Sequence, residues 1–275
     1  MFSFFANMFG LFLNFLYSLV QNYGLAIIIF SICIKLILFP ISIKQQKTLK
    51  KSAKVQTKVK ELQNKYSNNP EKLNQEVMEL YKSEKMNPFS GCLSSIVQIL
   101  LLLSVFYLVR SPLTYMKKVE PTVIETYKEQ LSEESKNSAY PEIAIIQQFG
   151  SQDEKVNINM NLLGLDLSLI PTNDLTNYKA LIIPALYVVT TFISMRLTNN
   201  MQKSNNKKDE NTEKDEMDAV LQANKSMSLM MPIMSIMIAI VAPLGLALYW
   251  LTNNILMIIE RLIINKFFNN MEEED

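Results

Sequence analysis

The sequence predicts an all-α polytopic membrane protein: a five-helix transmembrane core, a cytoplasmic helical hairpin and an N-terminal amphipathic helix. Three observations carry this. Of 275 residues, 49% are apolar, and they are gathered into blocks rather than spread along the chain. Five blocks approach or reach the ~20 helical residues that a bilayer core requires. Lysines concentrate in one of the loops between them.

Residues 1–21 form the first element. Ser3, Asn7, Gly10, Asn14, Ser18 and Gln21 recur at spacings of four, three, four, four and three in a run otherwise made of Phe, Leu, Met and Val. That is one narrow polar stripe on a helix. A signal peptide would show a basic n-region and a small-residue cleavage site, and neither is present. The expectation is an uncleaved amphipathic helix lying in the outer leaflet.

The first span covers residues 22–43, with Lys35 as its only charge, and the second covers 89–109 with none. The third covers 178–197, with Lys179 and Arg196 at its ends. The fourth, 226–242, is short. The fifth, 244–266, carries Glu260 and Arg261 near its end. Pro243 and Gly245 mark a tight turn between the last two, because Pro cannot continue a helix and Gly tolerates turn geometry. Runs of this length without charge are rare in soluble helices.

Orientation follows from lysine asymmetry. Residues 44–88 hold eleven Lys and five Glu, whereas residues 110–177 hold six basic and ten acidic side chains. The former is expected in the cytoplasm and the latter outside. Five crossings then leave the N-terminus outside, and the loop 198–225 and tail 267–275 in the cytoplasm. In the lysine-rich segment Val55, Val59, Leu62 and Tyr66 repeat at four, three and four. Asn68-Asn69-Pro70 breaks the helix, and Leu73, Val77 and Leu80 resume the pattern. Two such arms close as an antiparallel hairpin on a shared seam. In the outer segment, residues 121–134 predict a short charged helix. The apolar stretch 159–170 is expected to lie back on the membrane surface, closing the outer end of the bundle over the third span. Residues 120–155 are expected to be dispensable for activity. The loop 198–225 is polar enough to read as largely disordered.

Composition excludes several function classes. A net charge of +1 does not favour nucleic-acid binding by bulk electrostatics. The absence of His removes the usual zinc ligand sets and imidazole-based catalysis. Cys33 and Cys92 lack metal spacing and read as buried free thiols. No catalytic, metal or cofactor site is expected.

Lys35 is the most informative residue. It lies ~18 Å from the outer end of its helix and ~12 Å from the cytoplasmic end, at 1.5 Å per residue. A charge at that depth costs ~2.5–3.5 kcal/mol on insertion scales and should face water or a partner. Glu260 falls near the cytoplasmic end of the fifth span, so no embedded carboxylate is an evident partner, and a water-filled cavity is expected. Ser31 lies one turn away on the same face. Gln98, Thr190, Thr191, Thr252, Asn253 and Asn254 supply uncharged polar groups. Singly each reads as helix–helix glue; together with Lys35 they line a hydrated, net-positive recess.

Four pieces in register carry a family resemblance: GLAIIIFSICIKLILFPISIKQQK at 24–47, MNPFSGCL at 86–93 with Gln98 beyond it, YKALIIPALYVVTTFIS at 178–194, and MMPIMSIMIAIVAPLGLALYWLTNNIL at 230–256. The chain resembles YidC-type membrane protein insertases of the wider Oxa superfamily. The resemblance implies a groove open to the cytoplasm and to lipid, with a cation from the first core helix inside it. Lys35 stands where the family normally has Arg, so the planar five-donor fork is absent. Ser94 and Ile99 stand where the family often has Pro, the outer loop is longer than usual, and a basic C-terminal tail is missing.

The groove residues implied are Lys35, Ser31, Gln98, Thr190, Thr191, Trp250, Asn253 and Asn254. The implied function is insertion and folding of client proteins in the bacterial cytoplasmic membrane, without cofactor and without catalysis. Its partners are nascent clients and membrane lipid, with the Sec translocon and the ribosome as further candidates, and a monomer suffices. An anion channel or small-solute transporter using Lys35 as a buried cation is the alternative.

Overall fold

The computed structural model describes residues 2–67, 69–84, 90–174, 176–205 and 234–272. The α-helices among the described residues are labelled α1–α10 in chain order. The chain is an all-α polytopic membrane protein, with one small two-stranded hairpin among the described residues.

α1 (Phe2–Val20) has three faces. Ala6, Phe9, Leu13 and Leu16 are buried, whereas Phe4, Met8, Leu11, Phe15 and Leu19 are exposed. The polar stripe lies between these faces and is only partly open. Asn7 accepts a hydrogen bond from Lys118 Nζ. A Cβ on Gly10 would sit 2.0 Å from the Tyr115 carbonyl oxygen. Part of the stripe is therefore a docking edge for the π turn Leu113–Lys117, where only glycine allows the backbones to approach so closely. α1 is itself long and apolar enough to cross a membrane.

α2 runs unbroken from Tyr23 to Lys65, 43 residues or ~65 Å. The first span and the first arm of the hairpin are therefore one continuous helix through residue 43. Between them lie Lys and Gln, which sustain a helix, and no breaker beyond Pro40. α3 (Pro70–Ser83) returns along it, and the Asn69 side chain caps its first turn by accepting from Lys72 N at 3.1 Å. Val55 is buried in the seam, with Val59, Leu62, Leu73, Val77 and Leu80 half-buried. Lys58 Nζ meets Glu84 at 2.6 Å, and Tyr66 donates to Glu76 at 3.2 Å beneath Lys65 and Lys72. Asn68 and the Met86-Asn87-Pro88 turn lie outside the described residues.

α4 (Ser90–Arg110) and α8 (Tyr178–Asn205) match the second and third expected spans, although α8 continues eight residues past 197 into the expected loop. α9 is described over residues 234–241. The first part of the fourth span and residues 206–225 of the loop lie outside the described residues. α10 (Leu244–Glu272) follows Pro243 and extends beyond residue 266. In the bundle α10 packs against α8 and α2, while α1 packs against α4, α2 and the π turn. Cys33 is free and half-buried rather than buried.

The segment between α4 and α8 is a folded cap. The expected helix 121–134 is two helices, α5 (Pro121–Glu129) and α6 (Glu133–Lys136), and α7 (Pro141–Phe149) follows. α7 was not foreseen. Its nine residues have too little periodicity to announce themselves, yet Ile143, Ile145, Ile146 and Phe149 are all buried. Its Glu142 accepts from Leu113 N at 2.8 Å, Thr114 N at 3.0 Å and Thr114 Oγ1 at 2.6 Å, so a buried carboxylate closes the start of the π turn. Burial pushes the Glu142 carboxyl above its ordinary range, against the pull of these hydrogen bonds.

The stretch 159–170 does not lie free on a surface. Strands β1 (Asn161–Leu162) and β2 (Leu165–Asp166) fold it onto the first turns of α2 and α10. Tyr23 N donates to Asn159 O at 2.9 Å and Asn22 Nδ2 to Asn161 O at 2.6 Å. Leu244 N and Gly245 N donate to Leu169 O and Leu167 O, each at 2.9 Å. The Tyr23, Leu244 and Gly245 N–H groups open a helix and have no partner within it, so the cap supplies one. A Cβ on Gly24 would lie 2.8 Å from the side chains of Leu162 and Leu167. β1 packs on α2 and β2 on α8, while the backbone beyond β2 is hydrogen-bonded to the start of α10.

Candidate functional site

α2 and α10 both begin under the β1–β2 hairpin of the cap, α2 at its first arm and α10 just beyond its second, so they run parallel from a common end. Lys35 then lies ~18 Å along α2 and Glu260 ~24 Å along α10. The two side chains span that offset: Lys35 Nζ and Glu260 Oε2 are 2.6 Å apart, with the side chains 23% and 9% exposed. The sequence reading of Lys35 as a cation without a carboxylate partner is thereby corrected. Counting both residues from the helix starts, twelve and sixteen positions, brings them within side-chain reach. The other oxygen, Glu260 Oε1, is buried and has no hydrogen-bond partner among the described residues.

Ser31 is buried, but its hydroxyl donates to Ile27 O at 2.8 Å, one turn back on its own helix. Thr190 and Thr191 donate to Tyr187 O at 3.0 and 2.7 Å. Thr252 and Asn253 donate to Leu248 O and Tyr249 O at 2.8 and 2.9 Å. These local bonds satisfy polar side chains inside a helix at depth without a partner helix. The backbone of Gln98 lies in α4, and its side chain is outside the described residues.

A second set of contacts joins α8 to α9 and α10. Tyr187 donates to Ser235 Oγ at 2.9 Å, Asn254 Nδ2 to Thr191 Oγ1 at 2.7 Å, and Arg261 to Ser194 O and Oγ at 3.3 Å. Trp250 is half-buried with its ring 6.0 Å from that of Tyr187. Tyr187, Thr191 and Ser194 are spaced four and three apart, so they form one seam along α8. Of the predicted site residues, Lys35 pairs with Glu260 between α2 and α10, Thr191, Trp250 and Asn254 belong to a seam that fastens α10 to α8, and Ser31, Thr190 and Asn253 bond only within their own helices. Sequence reasoning missed Tyr187, Ser194, Ser235 and Arg261 in the seam. The four–three spacing of Tyr187, Thr191 and Ser194 was the available signal.

The seam makes a direct prediction. Asn254→Leu removes the donor to Thr191, and interhelical hydrogen bonds of this kind contribute ~0.6–1.7 kcal/mol. The melting temperature in detergent should fall by roughly 2–4 °C per kcal/mol, and the companion Thr191→Val should add little once Asn254 is gone.

Two kinds of comparison bear on this arrangement. The sequence profile of the 60Kd inner membrane protein family matches residues 15–272. A protein of Caldanaerobacter subterraneus subsp. tengcongensis named membrane protein insertase YidC is 27% identical over 266 residues, 96% of this chain and 96% of its own. Proteins of the same name from Citrifermentans bemidjiense and Rickettsia prowazekii are each 30% identical, over 92% and 93% of this chain. This chain spans only 35% and 37% of those two.

Proposed function

The chain belongs to the 60Kd inner membrane protein family, and we propose from that premise that it inserts client proteins into the bacterial cytoplasmic membrane and assists their folding. The observation that supports this most is a cation midway along the apolar stretch Tyr23–Thr48, on a helix whose neighbouring positions Leu36, Ile37 and Ile41 are 57–67% exposed and apolar. Charge and a lipid-facing surface are thus offered on one helix.

In this reading the hairpin of α2 and α3 is cytoplasmic and the cap is outside, as the lysine asymmetry requires. A groove beside Lys35, open to the cytoplasm and to lipid, shortens the apolar distance that a client's polar segment must cross. Acidic residues of that segment are drawn to Lys35, where the low dielectric strengthens attraction and salt screens it weakly. The client's apolar helix then leaves into lipid along α4 and α8. Exposed Ile182, Leu186, Val189 and Phe192 on α8 offer it an apolar face, and burial in lipid drives the step. Of the polar side chains expected to line that groove, Ser31, Thr190 and Asn253 are bonded within their own helices and Thr191 and Asn254 hold the α8–α10 seam, so in this reading Lys35 is the group that meets the client. No bond is made or broken, so no catalytic residue and no cofactor is required. Nascent clients and lipid are the partners; the Sec translocon and the ribosome are further partners in the same reading, and one copy of the chain suffices.

The test uses the full chain in liposomes of bacterial lipid. Insertion of a small client with an acidic outer segment should exceed that of protein-free liposomes about tenfold, a difference of ~1.4 kcal/mol. Chloride flux should stay at background. Flux without insertion would replace this reading with that of an anion channel.

A further inference from the structure

Glu260 gives the site a property that a bare cation lacks. Any client carboxylate that reaches Lys35 meets an ammonium already engaged at 2.6 Å. Displacing Glu260 is an exchange between two carboxylates, one tethered in the protein and one delivered by the client. A tethered group competes at a high effective concentration. The outcome therefore depends on how many carboxylates the client brings to the same place.

The pair is also built to exchange. A structural ion pair in a low-dielectric interior normally has its remaining lone pairs satisfied, because the desolvation cost is otherwise not offset. Glu260 is nine-tenths buried, yet Oε1 has no partner among the described residues. Lys35 keeps 23% of its side chain exposed, so the cation's side of the pair is not sealed while Glu260 stays in place. The lysine has a flexible stem and a point charge, and it can turn from one carboxylate to another without reorienting a planar fork.

Resting on the insertase reading above, we infer that Glu260 is a specificity-determining residue: it occupies Lys35 in the absence of a client and sets the acidity a client segment needs to be admitted. Clients with several acidic residues in the translocated segment displace it readily. Clients with one acidic residue compete poorly.

The experiment uses the full chain in liposomes and two clients that differ only in carrying one or three acidic residues in the outer segment. The readout is the ratio of their insertion rates, which is internal to each variant and does not depend on how much protein is folded. The wild type should favour the three-acid client by about tenfold, equivalent to ~1.4 kcal/mol. Glu260→Gln keeps the shape and removes the charge; it should bring the ratio to near one by raising the single-acid client. Glu260→Asp keeps the anion and should hold the wild-type order. A wild-type ratio near one would remove the charge-assisted reading itself. A large wild-type ratio that Glu260→Gln leaves unchanged would overturn the role of Glu260 and leave that reading standing.

Discussion

Lys35→Glu is expected to abolish insertion of a client with an acidic outer segment and to lower the melting temperature as well. The substitution places a second carboxylate against Glu260, where the two atoms now in contact are 2.6 Å apart. Like charges brought together in this way cost several kcal/mol. Lys35→Ala is milder in charge but leaves Glu260 buried without a counter-ion, a loss of ~3–5 kcal/mol in comparable buried pairs. Stability and activity must therefore be read separately. The exchanged pair, Lys35→Glu with Glu260→Lys, restores opposite charges across the same gap and should recover most of the melting temperature. Lys35→Arg should keep insertion and raise the melting temperature, because a guanidinium has a second N–H to offer the unpaired Oε1. Insertion at the wild-type rate by folded Lys35→Glu protein would remove charge attraction from the mechanism.

Replacing residues 120–155 with a short Gly/Ser linker is expected to lower the melting temperature sharply while folded molecules continue to insert clients. The segment contains Glu142, whose three hydrogen bonds hold the backbone of Leu113 and the backbone and hydroxyl of Thr114. Unpaired buried groups cost ~1–3 kcal/mol each, so the loss should amount to several kcal/mol. The π turn that Glu142 closes is also the surface on which α1 docks at Gly10, and the damage should reach α1. The strand 159–170 is retained in this variant, so the first turns of α2 and α10 keep their hydrogen-bond partners. The measurement pairs detergent melting with insertion normalised to folded protein. An unchanged melting temperature with insertion lost would mean that the cap acts on clients directly, and the groove mechanism would need an outer component.

Much of the architecture is local and was legible in the chain. Apolar blocks long enough to cross a bilayer follow from composition alone, because a spanning helix satisfies its backbone within itself. The seven-residue seam of the hairpin and the depth of Lys35 follow from 3.6-residue periodicity and a fixed rise, and the Asn68-Asn69-Pro70 break follows from proline. The continuity of α2 through residue 43 is local too: what changes there is the solvent outside the helix, and hydropathy reports that change as if it were a helix end.

Tertiary structure alone decided what each polar group meets. Whether Lys35 faces water or Glu260 depends on where α10 starts relative to α2, and the cap strand sets that register through Tyr23, Leu244 and Gly245. Asn254 serves the seam with Thr191 because α8 and α10 bring them to 2.7 Å, and nothing within either helix requires it. Gly10 and Gly24 look like breaks in an apolar pattern until the backbone of Tyr115 and the side chains of Leu162 and Leu167 are seen against them. The physical reason is common to all of these: helix formation satisfies neighbours along the chain, whereas pairing a charge, a side-chain amide or an open helix end requires a group delivered from a distant part of it.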